Sequence, residues 1–398
     1  MKVLAVLHYA VFGGPSNLLV SLSGPLAERG VELAVVLPDE DGNAAERFQA
    51  AGVTTEVIPL RRLRASFNPA HHARLLAGFP GDVRRLRRII RRRGVDVVLL
   101  HGLANPHAAI AARLEGRAVL WQIVDTRVPA AGRRVLMPFV ERLSDAVMFW
   151  GEAVRQLHTR GRPLAMPTLL GSSPVDLDRH VPSPERRART RAELGVPGEA
   201  QVVGTVSNLN PQKGVEYFIR AAKQIADQMP TAWFLVVGGR YDTHRAYARR
   251  LESEVRESGL ADRFRCVGAV ADVERFYAAM DVKLITSVPA SEGIPTTALE
   301  AMACGVPVVT TDVGSASEAV VDGVTGYVVP PLDGDAIAQA ALHVLADPAL
   351  RARLGDEGRR RAEARYGVEP AVDQHMRAFR TAMEHRHRRN TIPPKVLG

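Results

Sequence analysis

Short runs of β-branched and other apolar residues alternate along this chain with longer segments of helical periodicity, and this order limits the possible folds most strongly. Such alternation is typical of parallel sheets in which a helix connects neighbouring strands. In the first half, strands are predicted at Val3–Leu7, Glu32–Leu37, Val95–Leu100, Val119–Val124 and Ala146–Phe149. In the second half, they are predicted at Val202–Val206, Trp233–Val237, Phe264–Val267, Val282–Thr286 and Val308–Thr310.

A stretch rich in turn residues, Gly171–Pro184, separates the two series, and a length of 398 residues suits two domains. We therefore predict an α/β protein with two Rossmann-like, doubly wound domains, residues 1–175 and 183–366. The last helix, within residues 367–386, is expected to cross back onto the first domain. Ligands of such sheets bind beyond the carboxyl ends of the strands, which places the predicted site in a cleft between the domains.

Positive charge is concentrated in one part of the first domain. The net charge is +9, and the segment Arg61–Arg93 contains many arginines but a single acid, Asp82. Two interpretations stay open: a solvated arginine-rich helix, or a surface for an anionic membrane or a phosphorylated acceptor. Nucleic acid is not expected as a partner, because no aromatic residue is interleaved with the arginines of Arg84–Arg93.

The sequence predicts neither secretion nor a membrane span. The apolar run at the N-terminus is short and leads into His8 and a glycine turn. No uncharged apolar run reaches the length of about eighteen residues that a spanning helix needs. Two cysteines, Cys266 and Cys304, are too few for a disulfide framework. We therefore expect a cytoplasmic protein, peripheral at the inner membrane face if its arginines contact lipid.

The loop and helix after the predicted strand Val282–Thr286 carry two glutamates in a setting that suits a sugar nucleotide. Pro295 fits the first turn of this helix, because its missing amide would be unpaired there. Glu292, in the loop, and Glu300, in the helix, can each accept a pair of hydrogen bonds from sugar hydroxyls. Two acids that only stabilise a helix dipole are the alternative. The amides at the positive helix end that suit a diphosphate belong to Gly293, Ile294 and Thr296.

A second candidate anion site follows the predicted strand Val202–Val206, where the segment Ser207–Gly214 opens a helix. Lys213 places a point charge there that suits a diphosphate. Asn208, in the same loop, can donate a hydrogen bond of lower strength than a cation would. The alternative for Lys213 is a solvated lysine at a helix start.

These segments resemble the motifs of one known family. The segment Glu292–Val309 is similar to E-G-x-P-x-x-x-x-E-A-M-A-x-G-x-P-V-V of the family-4 retaining glycosyltransferases, and Gly314–Pro330 resembles their G-x-x-E-x-x-x-D-G-x-T-G-x-L-V-P block. The resemblance covers essentially the whole chain. It implies the GT-B fold and transfer from a nucleoside diphosphate sugar, UDP favoured and GDP next, with retained anomeric configuration. It also implies that Glu300 holds the nucleotide ribose and that Glu292 contacts the donor sugar.

Further segments resemble other parts of the family's donor site. The segment Ser207–Gly214 resembles G-R-L-x-x-x-K-G, but Asn208 stands where arginine is common, which puts one of two cationic clamps in doubt. The turn that ends at Val270 resembles the base-binding turn. Gly13 and Gly14 resemble the glycine-rich loop that approaches the donor phosphate. Plain turn chemistry is the alternative for the last two segments.

The acceptor is expected to bind the first domain, where polar residues follow two predicted strands. His101 follows Val95–Leu100. The family usually has a histidine near the end of the next strand, where Asp125 is the nearest candidate here. A carboxylate at this point can accept or orient the hydroxyl proton of the acceptor. Capping of strand-end loops is the alternative role for both residues.

The predicted mechanism stabilises the departing diphosphate electrostatically, through Lys213 and the backbone amides. No cofactor or catalytic metal is expected, because no acidic pair of the D-x-D type is placed at a strand end with other ligands. A nucleotide-sugar epimerase and a catalytically inactive sugar-nucleotide-binding protein are alternatives on the same fold. The missing G-x-G-x-x-G fingerprint argues against a nicotinamide dehydrogenase. The residues predicted to be catalytic are Asp125, His101, Lys213 and Glu292.

Overall fold

The computed structural model describes residues 1–61, 69–103, 106–124, 126, 128–240 and 242–391. The chain divides into two compact units. The first unit consists of Met1–Ser172 together with the C-terminal helix Val368–Thr391, and the second unit of Ser173–Gly367. Residues 171–183, where the chain passes from the first unit to the second, form neither helix nor strand.

Seven strands form the sheet of the first unit: β1 (Lys2–Val6), β2 (Glu32–Pro38), β3 (Thr54–Ile58), β4 (Val97–His101), β5 (Ala118–Ile123), β6 (Ala146–Phe149) and β7 (Thr168–Leu170). All neighbours pair in parallel, in the order β3-β2-β1-β4-β5-β6-β7. The order reverses between β1 and β4, which is where doubly wound sheets bind their ligands.

The helices that connect these strands are α1 (Gly14–Glu28), α2 (Ala44–Ala50), α3 (Pro69–Arg93), α4 (Pro106–Leu114), α5 (Ala130–Leu143) and α6 (Glu152–Thr159). Successive side chains of a strand point to opposite faces of the sheet. In β1, Val3 and Ala5 therefore join a core with α1 and α2, whereas Leu4 and Val6 join a second core with α3 and α4. Burial of both faces explains why these strands are almost wholly apolar.

Six strands form the sheet of the second unit: β8 (Val202–Val206), β9 (Trp233–Val237), β10 (Phe264–Gly268), β11 (Val282–Ile285), β12 (Val308–Thr311) and β13 (Gly326–Val329). These strands also pair in parallel, in the order β10-β9-β8-β11-β12-β13. The order reverses between β8 and β11, so the loops after these two strands occupy the position where a ligand is expected.

The remaining helices are α7 (Pro184–Leu194), α8 (Val215–Gln228), α9 (Arg245–Glu257), α10 (Glu274–Ala279), α11 (Thr296–Ala303), α12 (Ala316–Ala319), α13 (Gly334–Ala346), α14 (Pro348–Tyr366) and α15 (Val368–Thr391). Three of them begin at a side chain that accepts first-turn amide hydrogen bonds, Ser183 for α7, Asp333 for α13 and Asp347 for α14. Among the described residues, none of the helices combines the length and apolar character needed to cross a bilayer.

The last helix, α15, packs on the first unit. Val372 and Phe379 are fully buried in the same core as β1 and α1. Outside the core, Arg29 pairs with Glu369 at 2.7 Å and with Asp373 at 3.2 Å. The predicted return of the C-terminal helix to the first unit is confirmed, as are the α/β class and the two Rossmann-like folds. All strands predicted from the sequence are present, with small shifts at their ends.

Candidate functional site

In the second unit, the loops that follow β8 and β11 are held together by backbone contacts. The amide of Val288 donates to the carbonyl of Gln212 at 3.0 Å. The hydroxyl of Thr286 donates to the carbonyl of Lys213 at 2.9 Å. These bonds fix the short 3-10 turn Pro211–Lys213 against the end of β11. The two predicted anion sites therefore form one site.

Lys213 and Glu292, predicted from separate motifs, form an ion pair in this site. Lys213 Nζ lies 2.5 Å from Glu292 Oε1, and Ser287 Oγ donates to the same oxygen. Glu292 is only 7% exposed, so its charge depends on these partners. The contacts that Glu292 makes with Lys213 and Ser287 both involve Oε1. Its other oxygen, Oε2, is therefore the one placed to accept a hydrogen bond from a ligand hydroxyl.

Two glycines allow the close backbone approach on which this pair depends. A Cβ on Gly214 would lie 2.2 Å from the carbonyl oxygen of Thr286, and one on Gly314 would lie 1.9 Å from that of Glu292. Both residues also have left-handed backbone, with φ of +57° and +60°. No other residue type fits at either position without displacing the loops of Lys213 and Glu292.

The start of α11 presents backbone donors beside Glu292. Pro295 is the N-cap, with extended backbone and no side-chain cap hydrogen bond, so Thr296 begins the helix with an uncapped first turn. The carbonyl of Gly293 accepts from Ser315 N at 3.2 Å, and Ile294 packs on the core. This arrangement fixes the loop and leaves the positive end of the helix suited to an anion.

Glu300 lies one to two turns further into α11 and is half-buried. Its Oε2 accepts a hydrogen bond of 2.6 Å from the hydroxyl of Tyr277. Tyr277 is fully buried on α10, and burial together with the charge of Glu300 raises its pKa well above the ordinary value. The tyrosine therefore stays protonated and holds the carboxylate in one orientation.

A buried lysine beneath α11 was not predicted. Lys283, on β11, is fully buried and its Nζ donates to Thr297 Oγ1 at 3.0 Å. Nζ also lies 6.0 Å from the ring centre of Tyr277. Burial lowers the pKa of Lys283 to about 7, while the charges of Glu300 and Glu292 act in the opposite direction. A lysine inside an otherwise apolar strand, just before the motif, was the available sequence signal.

Asn208 and Val270, the other predicted donor residues of this unit, have structural contacts. Asn208 Oδ1 accepts from the amide of Gly239 at 3.2 Å, which connects the ends of β8 and β9. Val270 is half-buried and packs on the core. Neither observation tests a role in donor binding, so both assignments stay predictions.

In the first unit, Gly13 and Gly14 stand where α1 begins. Gly13 is the N-cap, in extended backbone, and no side chain caps the helix. A Cβ added to either glycine would meet no atom within 4 Å. Packing within the described residues of this unit therefore does not require glycine here, which agrees with a backbone kept open for a ligand.

The predicted catalytic residues of the first unit are less clearly placed. His101 ends β4 and is only 1% exposed. Burial, with smaller effects of His375 and His8, lowers its pKa to about 3, so the ring is neutral. This setting suits a core residue more than a proton acceptor in contact with substrate, and the catalytic role stays a prediction. Asp125 lies outside the described residues.

Six arginines of the arginine-rich segment are ion-paired with three acids, which compensate part of its positive charge. Residues 62–68 lie outside the described residues. Because two of the acids come from β3 and from the end of α4, the sequence of the segment alone did not reveal them. Contact with an anionic membrane through this segment stays a prediction. Fewer unpaired arginines are available for such contact than the sequence of the segment alone indicates. The ion pairs are Arg61 and Arg85 with Asp82, Arg87 and Arg91 with Glu115, and Arg92 and Arg93 with Glu56.

Comparison with known proteins agrees with this architecture. The family model Glycosyl transferases group 1 matches residues 186–361, and the model Glycosyltransferase Family 4 matches residues 12–162. The first match lies in the second unit and contains Lys213, Glu292 and Glu300. The second match lies in the first unit.

Curated relatives match either most of the chain or about half of it. The chain is 32% identical, over 87% of its length and 89% of the relative, to a GDP-mannose-dependent alpha-(1-6)-phosphatidylinositol monomannoside mannosyltransferase of Mycolicibacterium smegmatis. It is 35% identical to the lipopolysaccharide core biosynthesis mannosyltransferase LpcC of Rhizobium leguminosarum, but over only 52% of this chain and 58% of LpcC.

Solved structures share the fold. Anabaena Alr3699/HepE in complex with UDP superposes with a TM-score of 0.82 at 23% identity, covering 96% of this chain and 100% of that one. Sucrose-phosphate synthase from Thermosynechococcus elongatus superposes with a TM-score of 0.74 at 22% identity, covering 96% and 99%. With the family matches and the near full-length relative, these findings establish that the chain belongs to the family-4 glycosyltransferases of the GT-B fold.

Proposed function

We propose that this protein transfers a sugar from a nucleoside diphosphate sugar to an acceptor hydroxyl, with retention of anomeric configuration. The observation that carries the proposal is the convergence of Lys213, Glu292 and the start of α11 in the second unit, with Glu300 on the same helix. A cation, uncapped amides and two carboxylates with free acceptor capacity match the diphosphate and the hydroxyls of such a donor.

Each residue of this site takes a separate part of the donor. Lys213 and the amides of Gly293, Ile294 and Thr296 stabilise the charge that develops on the leaving diphosphate. Glu300 accepts from the ribose hydroxyls with the oxygen that Tyr277 leaves available, and Glu292 accepts from the sugar. Transfer needs no metal in this proposal, because the positive charge that a metal would supply comes from the protein.

GDP-mannose is the donor that we favour. The near full-length relative is named as GDP-mannose-dependent, and LpcC is named as a mannosyltransferase. From the sequence, UDP was favoured over GDP. The neighbour solved with UDP is only 23% identical, so its ligand carries less weight than the donor named for the relatives.

The acceptor that we propose is a hydroxyl on a molecule that carries phosphate. The names of two relatives indicate their acceptors: a phosphatidylinositol monomannoside for one and D-inositol 3-phosphate for the other. The net charge of +9 favours anionic acceptors. Asp125 is proposed to receive or orient the hydroxyl proton.

A thermal-shift panel of GDP-mannose, UDP-glucose, ADP-glucose and TDP-glucose tests the donor. A ligand at a hundred times its dissociation constant stabilises by about 2.7 kcal/mol, so the correct donor raises Tm by several degrees. GDP-mannose is expected to give the largest shift. If none of the four sugar nucleotides raised Tm, the result would contradict the proposed function.

A product assay separates transfer from the two alternatives. The favoured donor is incubated with and without a phosphatidylinositol acceptor, and the sugar nucleotide and the lipid are then analysed. Transfer to the lipid supports the proposal. Isomerised donor without acceptor would indicate an epimerase, and binding without any turnover would indicate an inactive sugar-nucleotide-binding protein.

A further inference from the structure

A cavity of about 170 Å³ in the first unit lies between α5 and the C-terminal end of α6. It has no residue in common with the predicted donor and acceptor sites. Arginines are prominent in its wall, and one of them, Arg162, is paired with Glu141 at 3.2 Å. The arginines that line the cavity are Arg133, Arg134, Arg160 and Arg162.

The other arginines keep their charge available to a ligand. Arg133 donates to the backbone carbonyl of Val128, which orients the guanidinium without neutralising it. Arg134 and Arg160 are exposed, and no acid among the described residues pairs with either. The first turn of α5, whose N-cap Pro129 provides no side-chain hydrogen bond, adds its amides and the positive helix end. The cavity therefore suits an anion.

Buried and strained groups of the wall also point to a ligand. Thr159 lines the cavity and is 1% exposed, and its Oγ1 has no hydrogen-bond partner among the described residues. A buried hydroxyl without a partner is unfavourable, whereas a bound oxyanion would accept from it. The next residue, Arg160, has left-handed backbone with φ of 57°, a conformation that non-glycine residues adopt at a price.

The outer face of α5, beside the cavity, is apolar. Val135 is 62% exposed and Phe139 is 55% exposed, and their spacing of four residues places them on one side of the helix. Arg134 and Arg142, both exposed, flank them on the same face. Apolar side chains bordered by arginines on an exposed helix face are typical of helices that lie in an anionic membrane surface.

We propose that this cavity binds the phosphate of an anionic membrane phospholipid, while Val135 and Phe139 enter the apolar layer. The cavity supplies an oriented guanidinium, the exposed arginines and the Thr159 hydroxyl for the phosphate oxygens. The exposed face supplies the contact with acyl chains that a soluble phosphate could not use. This lipid site is separate from the paired arginines of α3 and does not depend on the identity of the sugar donor.

Vesicle flotation of the full-length protein without any donor tests the site. Binding to phosphatidylglycerol vesicles is expected, with little binding to phosphatidylcholine vesicles. Thr159→Val keeps size and charge but removes the hydroxyl, and it is expected to weaken binding about tenfold. Arg134→Gln with Arg160→Asn, in which asparagine tolerates the left-handed backbone, is expected to weaken binding about 25-fold.

Two further variants distinguish this site from general attraction. Val135→Ser with Phe139→Ser leaves the charge unchanged and is expected to reduce vesicle binding at least tenfold. Arg84→Gln with Arg88→Gln removes the same charge as the cavity double variant, but from exposed positions on α3, and should change binding less than twofold.

Tm measurements first establish that each variant is folded, and the binding results then either support or overturn the proposal. Loss of binding in the cavity and face variants, but not in the α3 control, supports the proposal. Equal losses in the α3 control, or an unaffected Thr159→Val variant, would overturn it. It would also be overturned if inorganic phosphate raised Tm in a Thr159-dependent way while the vesicles remained unbound, because the site would then serve a soluble phosphate.

Discussion

The site residues predicted in the second unit and those predicted in the first unit differ in how far their surroundings define them. Lys213, Glu292 and Glu300 each have a fixed partner, and two glycines lock the loops that carry the first two. His101 is instead neutral and buried, and Gly13 stands in open space. The proposed donor site of the second unit is thus fixed by contacts within that unit, whereas the described surroundings of His101 and Gly13 define no role for either residue.

The largest effect is expected from Glu300→Ala. The change removes the charged hydrogen bonds proposed to hold the ribose, each worth about 1.5–3 kcal/mol, and leaves the buried hydroxyl of Tyr277 without its Glu300 partner. We expect kcat/KM and the affinity for the nucleoside diphosphate to fall at least about a hundredfold. Calorimetric titration and steady-state kinetics measure this. Glu185→Ala, at an exposed position of the same unit, is the control, and unchanged donor affinity in Glu300→Ala would refute the assignment.

The next largest effect is expected to be the difference in stability between the variants Gly214→Ala and Gly13→Ala. At Gly214 the new Cβ would overlap the carbonyl of Thr286 in left-handed backbone, so we expect a loss of at least about 2 kcal/mol in the free energy of unfolding. At Gly13 no atom lies within 4 Å of the Cβ, so Tm should hold while turnover falls. Thermal unfolding and kinetics decide this, and a Gly13→Ala enzyme with full turnover would remove Gly13 from the donor site.

Lys283→Met is expected to raise stability but to weaken donor binding, and both effects should depend on pH. Burial lowers the pKa of Lys283 from 10.5 to about 7. Between these values the unfolded chain binds a proton that the folded chain does not, so the free energy of unfolding should rise with pH from about 7 to 10. The variant should lose this rise and have a higher Tm at pH 7.

The same variant should bind the donor more weakly below pH 7, where the native lysine is charged beside Glu300 and Glu292. Unfolding curves and donor titrations at pH 6 and pH 9 measure both effects. Lys223→Met, an exposed lysine on α8, provides the control. If Lys283→Met lowered Tm at both pH values, the lysine would be stabilising the unit, contrary to this account.

The smallest effect on chemistry is expected from His101→Gln. The ring is neutral above a pKa of about 3, so it contributes no ionisation between pH 5 and 8. We expect the pH profile of kcat to keep its shape, with some loss of Tm because the residue is buried. Disappearance of one limb of the pH profile would support the catalytic role predicted for His101 and would reduce the difference between the two units.

Much of the fold was predictable because both faces of each sheet are covered, so most strands read as continuous apolar runs. The strand β3, with sequence TTEVI, was missed because it lies at the sheet edge and lacks such a run. The helix α4, rich in alanine, gave no clear apolar stripe. The arginines of Arg84–Arg93 lie at the end of α3, a helix that begins at Pro69.

The residues proposed for the donor site could be selected from the sequence because they are contiguous in two motifs. The residues that support it were not, since Tyr277 and Lys283 belong to elements outside the motifs and meet Glu300 only in the folded unit. The same reason hid Glu56 and Glu115, which neutralise arginines far along the chain.

The position of α15 has a consequence for how the protein is made. Its side chains Val372 and Phe379 complete a core whose strands precede the whole second unit in the sequence. A ribosome therefore synthesises the N-terminal sheet with one face only partly covered, by α1 and α2, and finishes the whole second unit before α15 emerges. The residues of the second unit are therefore all synthesised before α15, whereas the first unit is complete only after α15 has been made. Chains that end early would expose an apolar sheet and would be the natural targets of chaperones and proteases.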